Sequence, residues 1–184
     1  MSPRTRPVLR RVKQRVEASD EILPRQIAHT EAILRLTPGQ WMAPLLNDSD
    51  AGGRRDILEG RMIWVAHEVL RSGASVILDF GCWSAEERYA IRSIAEATGA
   101  RFILQWCCID EGERRARARV RWETAPETTF LMIDEDHERF VALCRPPSDA
   151  ELGYAPIPAA PTGHDSWFDW ASRRWPTLPR FDDI

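Results

Sequence analysis

The sequence predicts an α/β fold in which a parallel sheet is covered by helices. Three observations carry this prediction. Val76-Ile77-Leu78 and the stretch Arg101–Ile109 are apolar runs of the kind that a strand buried on both faces requires. Each is followed by a stretch with helix-start signals, Ser84 with Glu87 after the first and Asp110 after the second. The connections between them are short, and strand–helix–strand–helix alternation with short links makes right-handed βαβ units.

The elements follow in order. Residues 1–31 stand apart: Arg4, Arg6, Arg10, Arg11, Lys13 and Arg15 all precede the first acid, Glu17. Val8, Val12 and Val16 recur every fourth residue, which predicts a short amphipathic helix from Pro7 to about Ser19. A solvated helix face accounts for its charges, with a basic arm on nucleic acid as the competing reading. Ala32–Leu36 reads as a short strand closed by Thr37-Pro38-Gly39, and Arg54–Arg71 as a helix with Ile57, Met62, Val65, Val69 and Leu70 on its apolar face. Ser75–Phe80 is the next strand. A helix opened by the Ser84/Glu87 capping box runs to about Thr98, where Gly99 stops it. Arg101–Ile109 is a strand, Asp110 an N-cap, Glu111–Glu123 a charged helix, Ala125–Phe130 a loop and Asp134–Cys144 a helix before Pro146-Pro147. The end is rich in proline and then in tryptophan, with one short helix near Asp165–Arg174. The chain thus divides into an N-terminal helical segment (1–31), an α/β domain (32–156) and a Pro/Trp-rich tail (157–184).

Composition removes several function classes. In 184 residues, 43% hydrophobic and 29% charged residues support a packed core rather than disorder. A formal charge of -3 argues against a dedicated nucleic-acid binder. No apolar run reaches the ~18 residues of a membrane span, and the first residues lack a signal-peptide core. Cys82, Cys107, Cys108 and Cys144 form no CxxC pair and read as reduced thiols. The expectation is a soluble, cytoplasmic protein. His29, His67, His137 and His164 are scattered, and none falls in H-E-x-x-H or a zinc spacing, which disfavours a metal hydrolase.

Ligands of open parallel sheets bind beyond the carboxyl ends of the strands. Asp79 ends an apolar run there. Such an acid is costly unless it meets a metal, a water or a partner charge, although an aspartate that merely shapes the turn is the plain alternative. Arg114, Arg117 and Arg121 share one helix face by i, i+3, i+7 spacing. They are either a solvated face or a lid whose guanidinium groups clamp phosphate oxygens.

Four stretches resemble a known family: Leu36-Thr37-Pro38-Gly39-Gln40-Trp41-Met42, Val76 to Ser84, Arg114–Trp122, and Pro146-Pro147-Ser148-Asp149-Ala150-Glu151-Leu152. Together they are similar to the bacterial AAA family ATPases of P-loop kinase type, relatives of zeta-toxin-type and chloramphenicol-phosphotransferase-type kinases. The resemblance implies a three-layer parallel α/β sheet, ATP and Mg²⁺ as cofactors, and transfer of the γ-phosphoryl group to a small-molecule hydroxyl. It implies Asp79 as a catalytic, metal-site acid, Arg117 and Arg121 as catalytic lid residues that together with Arg114 bind the nucleotide, and Trp41, Trp83 and Ser84 on the acceptor side.

Two departures bear on activity. Such kinases open with a strand and a G-x-x-x-x-G-K-[ST] loop whose amides cradle phosphates. Here no glycine precedes Gly39, and Lys13 is the sole lysine among 25 basic residues. The family's usual aspartate is replaced by Gly39-Gln40, which removes the carboxylate that resembles a general base. Each such loss commonly costs on the order of 10²–10⁴ in rate, so the expectation is a kinase-like scaffold with defective or lost catalysis. The usual first strand is also expected to be missing or replaced. The strands ending at Asp79 and Ile109 would then pair directly or leave a gap, or residues 1–31 would not be native to the fold. The alternative is a catalytically silent interaction protein that uses the tryptophan-rich tail, with a small-molecule acceptor possible and no nucleic-acid partner expected.

Overall fold

The structure is a computed structural model and describes residues 8–14, 33–107 and 109–181, the first of these as backbone. Four parallel strands are formed by Val8–Gln14 (β1), Leu34–Leu36 (β2), Val76–Leu78 (β3) and Arg101–Cys107 (β4), in the order β2-β3-β1-β4. The main helices are Pro38–Leu46 (α1), Arg54–Arg71 (α2), Ala85–Ala97 (α3), Glu111–Thr124 (α4), Asp134–Leu143 (α5), Asp149–Leu152 (α6) and Trp167–Arg174 (α7). A 3₁₀ turn occupies Pro126–Thr128.

The largest correction concerns the N-terminus. Val8–Gln14 is a strand rather than part of a helix. It lies in the middle of the sheet, with Leu9 opposite Val76 on one side and Phe102 on the other. The strand thought missing is therefore present, β3 and β4 do not pair directly, and the ladder between them is filled. The remainder of the expected Pro7–Ser19 helix lies outside the described residues. The strand escaped notice because Arg10, Arg11, Lys13 and Gln14 interrupt it, whereas central parallel strands usually read as continuous apolar runs.

Elsewhere several local signals hold, although Ile57 and Val65, expected on the apolar face of Arg54–Arg71, are exposed. Val76, Ile77 and Leu78 are fully buried, as an apolar run between two neighbours requires. Ser84 caps α3 by accepting from the Glu87 amide (3.2 Å), while the Glu87 carboxylate takes the Ser84 amide (3.3 Å). Asp110 Oδ1 accepts from the Glu113 amide (2.8 Å) at the start of α4. Thr37-Pro38-Gly39 does not merely end β2. Thr37 is the N-cap of α1 and Pro38 stands in its first turn, where the missing N–H costs nothing. The helix closes on Asn47, which turns left-handed at φ 49°.

The tail belongs to the same core. Trp175 is fully buried and Trp167 nearly so, packed with Leu70, Ile91, Ile94 and Phe102. Neither forms the exposed anchor that an interaction role for the tail calls for. The Trp167 indole donates to the Pro158 carbonyl (2.7 Å) and the Trp175 indole to Glu59 (3.2 Å), so both polar handles are satisfied. Gly60 in α2 makes this docking possible: a Cβ there would stand 2.5 Å from Thr177 Oγ1 and 3.0 Å from the Leu178 amide.

A buried ion pair fastens the segment after α5. Arg88 of α3 and Glu151 of α6 are both buried, and Arg88 Nη2 donates to Glu151 Oε2 (3.0 Å). Arg88 also donates to the Arg145 carbonyl (2.9 Å). Burial by itself would raise the Glu151 carboxyl, but the Arg88 and Ser148 hydrogen bonds hold it below its ordinary value. The Pro-Pro-Ser motif therefore works as a strap: Ser148 caps α6 and presents Glu151 to Arg88. Among the described residues, no helix is long and apolar enough to cross a membrane.

Candidate functional site

A polar cleft opens beyond the carboxyl ends of β2 and β3. Its walls come from Arg35 and Thr37 of the β2–α1 junction, the first turn of α1, Arg55 of α2, the segment after β3, Arg121 of α4 and residues 128–130. This is where a parallel sheet is expected to hold a ligand, because helix starts and strand ends converge there.

Asp79 sits on the cleft floor, 6% exposed, its backbone amide bonded to the Leu36 carbonyl (2.9 Å). Its carboxylate meets a partner charge, one of the three possibilities the sequence leaves open. Arg35 Nε donates to Asp79 Oδ2 at 2.8 Å, and Arg35 Nη2 donates to the same oxygen. Arg35 Nη1 reaches Gln40 Oε1 (3.4 Å). Breaking such a buried pair by removing one partner typically costs about 3–5 kcal/mol, because the other charge is left unpaired.

The three arginines placed on one helix face have three different fates. Arg114 is buried, donating to Glu111 Oε2 (2.7 Å) and to His137 Nδ1 (2.7 Å). Burial first, and then the nearby Arg114 and Arg115, lower the His137 pKa, which keeps the imidazole neutral and able to accept that bond. Arg114 therefore clamps α4 to α5 and does not reach the cleft. Arg117 pairs with Glu113 (2.6 Å) on the outer side of α4, half-exposed. Only Arg121 lines the cleft.

The acceptor-side residues also separate. Trp83 lines the cleft, its ring stacked on Phe140 at a centroid distance of 5.4 Å and an interplanar angle of 8°. Gly81 allows this placement, since a Cβ there would stand 2.8 Å from the Trp83 ring. Trp41 is half-exposed on α1 and does not line the cleft, and the Ser84 hydroxyl is committed to capping α3. Arg35 and Arg55 are cleft residues that nothing in the sequence reading singled out, whereas Thr37 belongs to a strand end expected to face a ligand. For Arg35 a signal existed: it is the only charge inside a short strand next to one that ends in an acid.

The residues do not fit a magnesium centre. Mg²⁺ favours carboxylate and phosphate oxygens with an open coordination shell. Asp79 supplies the one carboxylate lining the cleft among the described residues, and it already holds a guanidinium cation at Oδ2, which repels a second cation there. Among the described residues, no group of three or more His, Cys, Asp or Glu side chains is placed to hold a metal. The cleft's cations are guanidinium groups on side chains, a donor set suited to oxyanions rather than to metal ions.

A parallel α/β sheet with a central first strand, and a charged cleft at its carboxyl edge, defines the P-loop kinase-like class. The model of the AAA domain family matches residues 23–147, about two-thirds of the chain, and the chain belongs to that family. The family generally binds ATP with Mg²⁺. No curated protein matches the chain.

Proposed function

We propose that this protein is a P-loop kinase-like scaffold, descended from ATP-dependent small-molecule phosphotransferases, in which γ-phosphoryl transfer is impaired. In this reading the four strands are the middle layer of a three-layer kinase fold, and the Trp83 side of the cleft is where an acceptor would lie. The observation that carries the reading is the pairing of Asp79 with Arg35 in a chain that has no G-x-x-x-x-G-K-[ST] loop.

The chemistry follows from the residues present. When bound, ATP and Mg²⁺ would supply a phosphoryl group and neutralise its charge. Holding that group needs converging backbone donors and a lysine at the end of a glycine-rich loop, and the sequence has no glycine before Gly39 and its sole lysine, Lys13, in no such loop. Deprotonating an acceptor hydroxyl needs a base, and the position next to Arg35 carries the neutral amide of Gln40. Arg121 supports oxyanion binding at the cleft wall, but one arginine does not replace the missing parts.

Turnover and binding test this directly. Titration calorimetry with ATP and Mg²⁺ is expected to show no submillimolar binding, and coupled assays no ATP consumption above background. Tight Mg²⁺-dependent ATP binding that disappears in Asp79→Ala would overturn the proposal.

A further inference from the structure

We propose that the Arg35 guanidinium takes, at Asp79, the place of a divalent cation, and that Arg35, Thr37 and the first turn of α1 form a metal-independent site for a phosphate-type oxyanion. This goes beyond the question of whether ATP gives up its γ-phosphoryl group, because it concerns what the cleft holds and by which groups.

Arg35 carries the argument. Its side chain is nine-tenths buried, yet it lines the cleft. A guanidinium has five N–H donors. Three of them are spoken for, Nε and one on Nη2 by Asp79 and one on Nη1 by Gln40, which leaves one on each terminal nitrogen. Asp79 holds the group rigid, so little conformational entropy is lost when an anion arrives.

Thr37 is an independent sign. An N-cap threonine normally turns its hydroxyl onto a first-turn amide of the helix. Here the hydroxyl makes no cap bond, and Oγ1 is buried with no hydrogen-bond partner. Leaving a buried hydroxyl unpaired is unfavourable, and such groups are usually satisfied by a ligand or an ordered water. Thr37 lines the same cleft as Arg35.

The first turn of α1 completes the set. Gly39 also lines the cleft, nothing stands within 4 Å of where its Cβ would be, and its amide has no carbonyl within its own helix to bond, whereas the Gln40 amide is taken by the Thr37 carbonyl (3.2 Å). The helix begins with Pro38 and has no acidic side chain in its first turn, so its positive end is not cancelled locally. An oxyanion placed there meets guanidinium N–H, hydroxyl and amide donors together, and Asp79 acts as the positioning residue for Arg35.

The test is calorimetric titration of the whole chain with inorganic phosphate and, separately, with glycerol 3-phosphate, each in EDTA and in excess Mg²⁺. Equal affinity in the two media is expected. Tighter binding of the monoester marks an organic phosphate as the ligand, and tighter binding of phosphate marks the inorganic ion; either supports the site. Thr37→Val, which keeps the side-chain volume and leaves Asp79 and Arg35 intact, is expected to weaken binding about tenfold. Arg35→Gln should weaken it further, but it strands Asp79 and can unfold the protein, so Thr37→Val is the decisive variant. Binding only in Mg²⁺, no binding of either probe, or unchanged affinity in Thr37→Val overturns the proposal. ATP turnover would sink the preceding reading without touching this one, and Mg²⁺-dependent phosphate binding would do the reverse.

Discussion

Two buried carboxylates, Asp79 and Glu59, meet arginines at two different places in this molecule. Asp79 faces the open cleft and is held by Arg35, which keeps donors to spare. Glu59 lies 3% exposed beneath the tail, bonded by Arg55 Nε (3.0 Å) and the Trp175 indole (3.2 Å). Burial, opposed by Arg55 and reinforced by nearby Glu87, pushes the Glu59 carboxyl up to about 7. An acid and an arginine in contact thus serve two ends. At Asp79 the pair fixes a charged group where a ligand can reach it, and at Glu59 it reconciles a polar group with a closed, aromatic core.

The contrast can be broken or sharpened by substitution. The largest effect is expected at the closed end. Trp175→Ala removes a fully buried indole and leaves Glu59 short of a donor, so urea denaturation should show a loss of about 3–5 kcal/mol. A loss below about 1 kcal/mol would mean that the tail is not part of the core.

Next comes the pH dependence of Glu59. Its folded pKa, about 7, lies above the value of 4.5 for an unperturbed side chain. The folded state therefore holds the proton more tightly, and its stabilising contribution is complete below about pH 4.5 and lost as pH rises to about 7. That loss is about 3 kcal/mol. Glu59→Gln, which cannot ionise, should flatten the fall in stability between these limits. An unchanged pH profile would show that folding does not raise the Glu59 pKa.

His137 works in the opposite sense. Its pKa is lowered on folding, so its contribution is present above the ordinary histidine value and is lost as pH falls below it. His137→Gln is expected to reduce the loss of stability as pH falls below the ordinary histidine value of 6.5, measured by urea denaturation across that range.

The smallest effect belongs to the cleft. Gly39→Asp restores a carboxylate at the place where the family resemblance expects one, and space is available for it. Stability should change by no more than about 0.5 kcal/mol, and ATP consumption should stay at background because the phosphate loop is still lacking. Activity appearing in this variant would show that the base, rather than the loop, was limiting.

What could be read from the sequence follows from how local each signal is. The Ser84/Glu87 cap, the Asp110 cap and the β3 run are decided by neighbours within a few residues, and they stand where expected. Asp79 was identified as needing a partner, but which of the three kinds it found depends on β2 lying beside β3, a long-range pairing. The spacing of Arg114, Arg117 and Arg121 puts them on one face of an isolated helix. Docking of α5 then claims Arg114 for His137, and no feature of α4 itself announces that neighbour. The strand β1 was missed because its residues look like a cationic helix while its place is set by the strands on either side. The sole charge in Leu34-Arg35-Leu36 was the one unused clue.

The Gly60 contact has a further consequence. The AAA domain match ends at residue 147, yet the backbone of α2 approaches Thr177 and Leu178 too closely for even a methyl group to intervene. Shared ancestry and physical self-sufficiency therefore have different borders in this chain. Cutting at residue 147 would unroof the hydrophobic interior beneath Trp175, and cutting at residue 23 would remove β1, so any minimal version meant to fold alone must include Val8–Gln14 and run at least through Leu178.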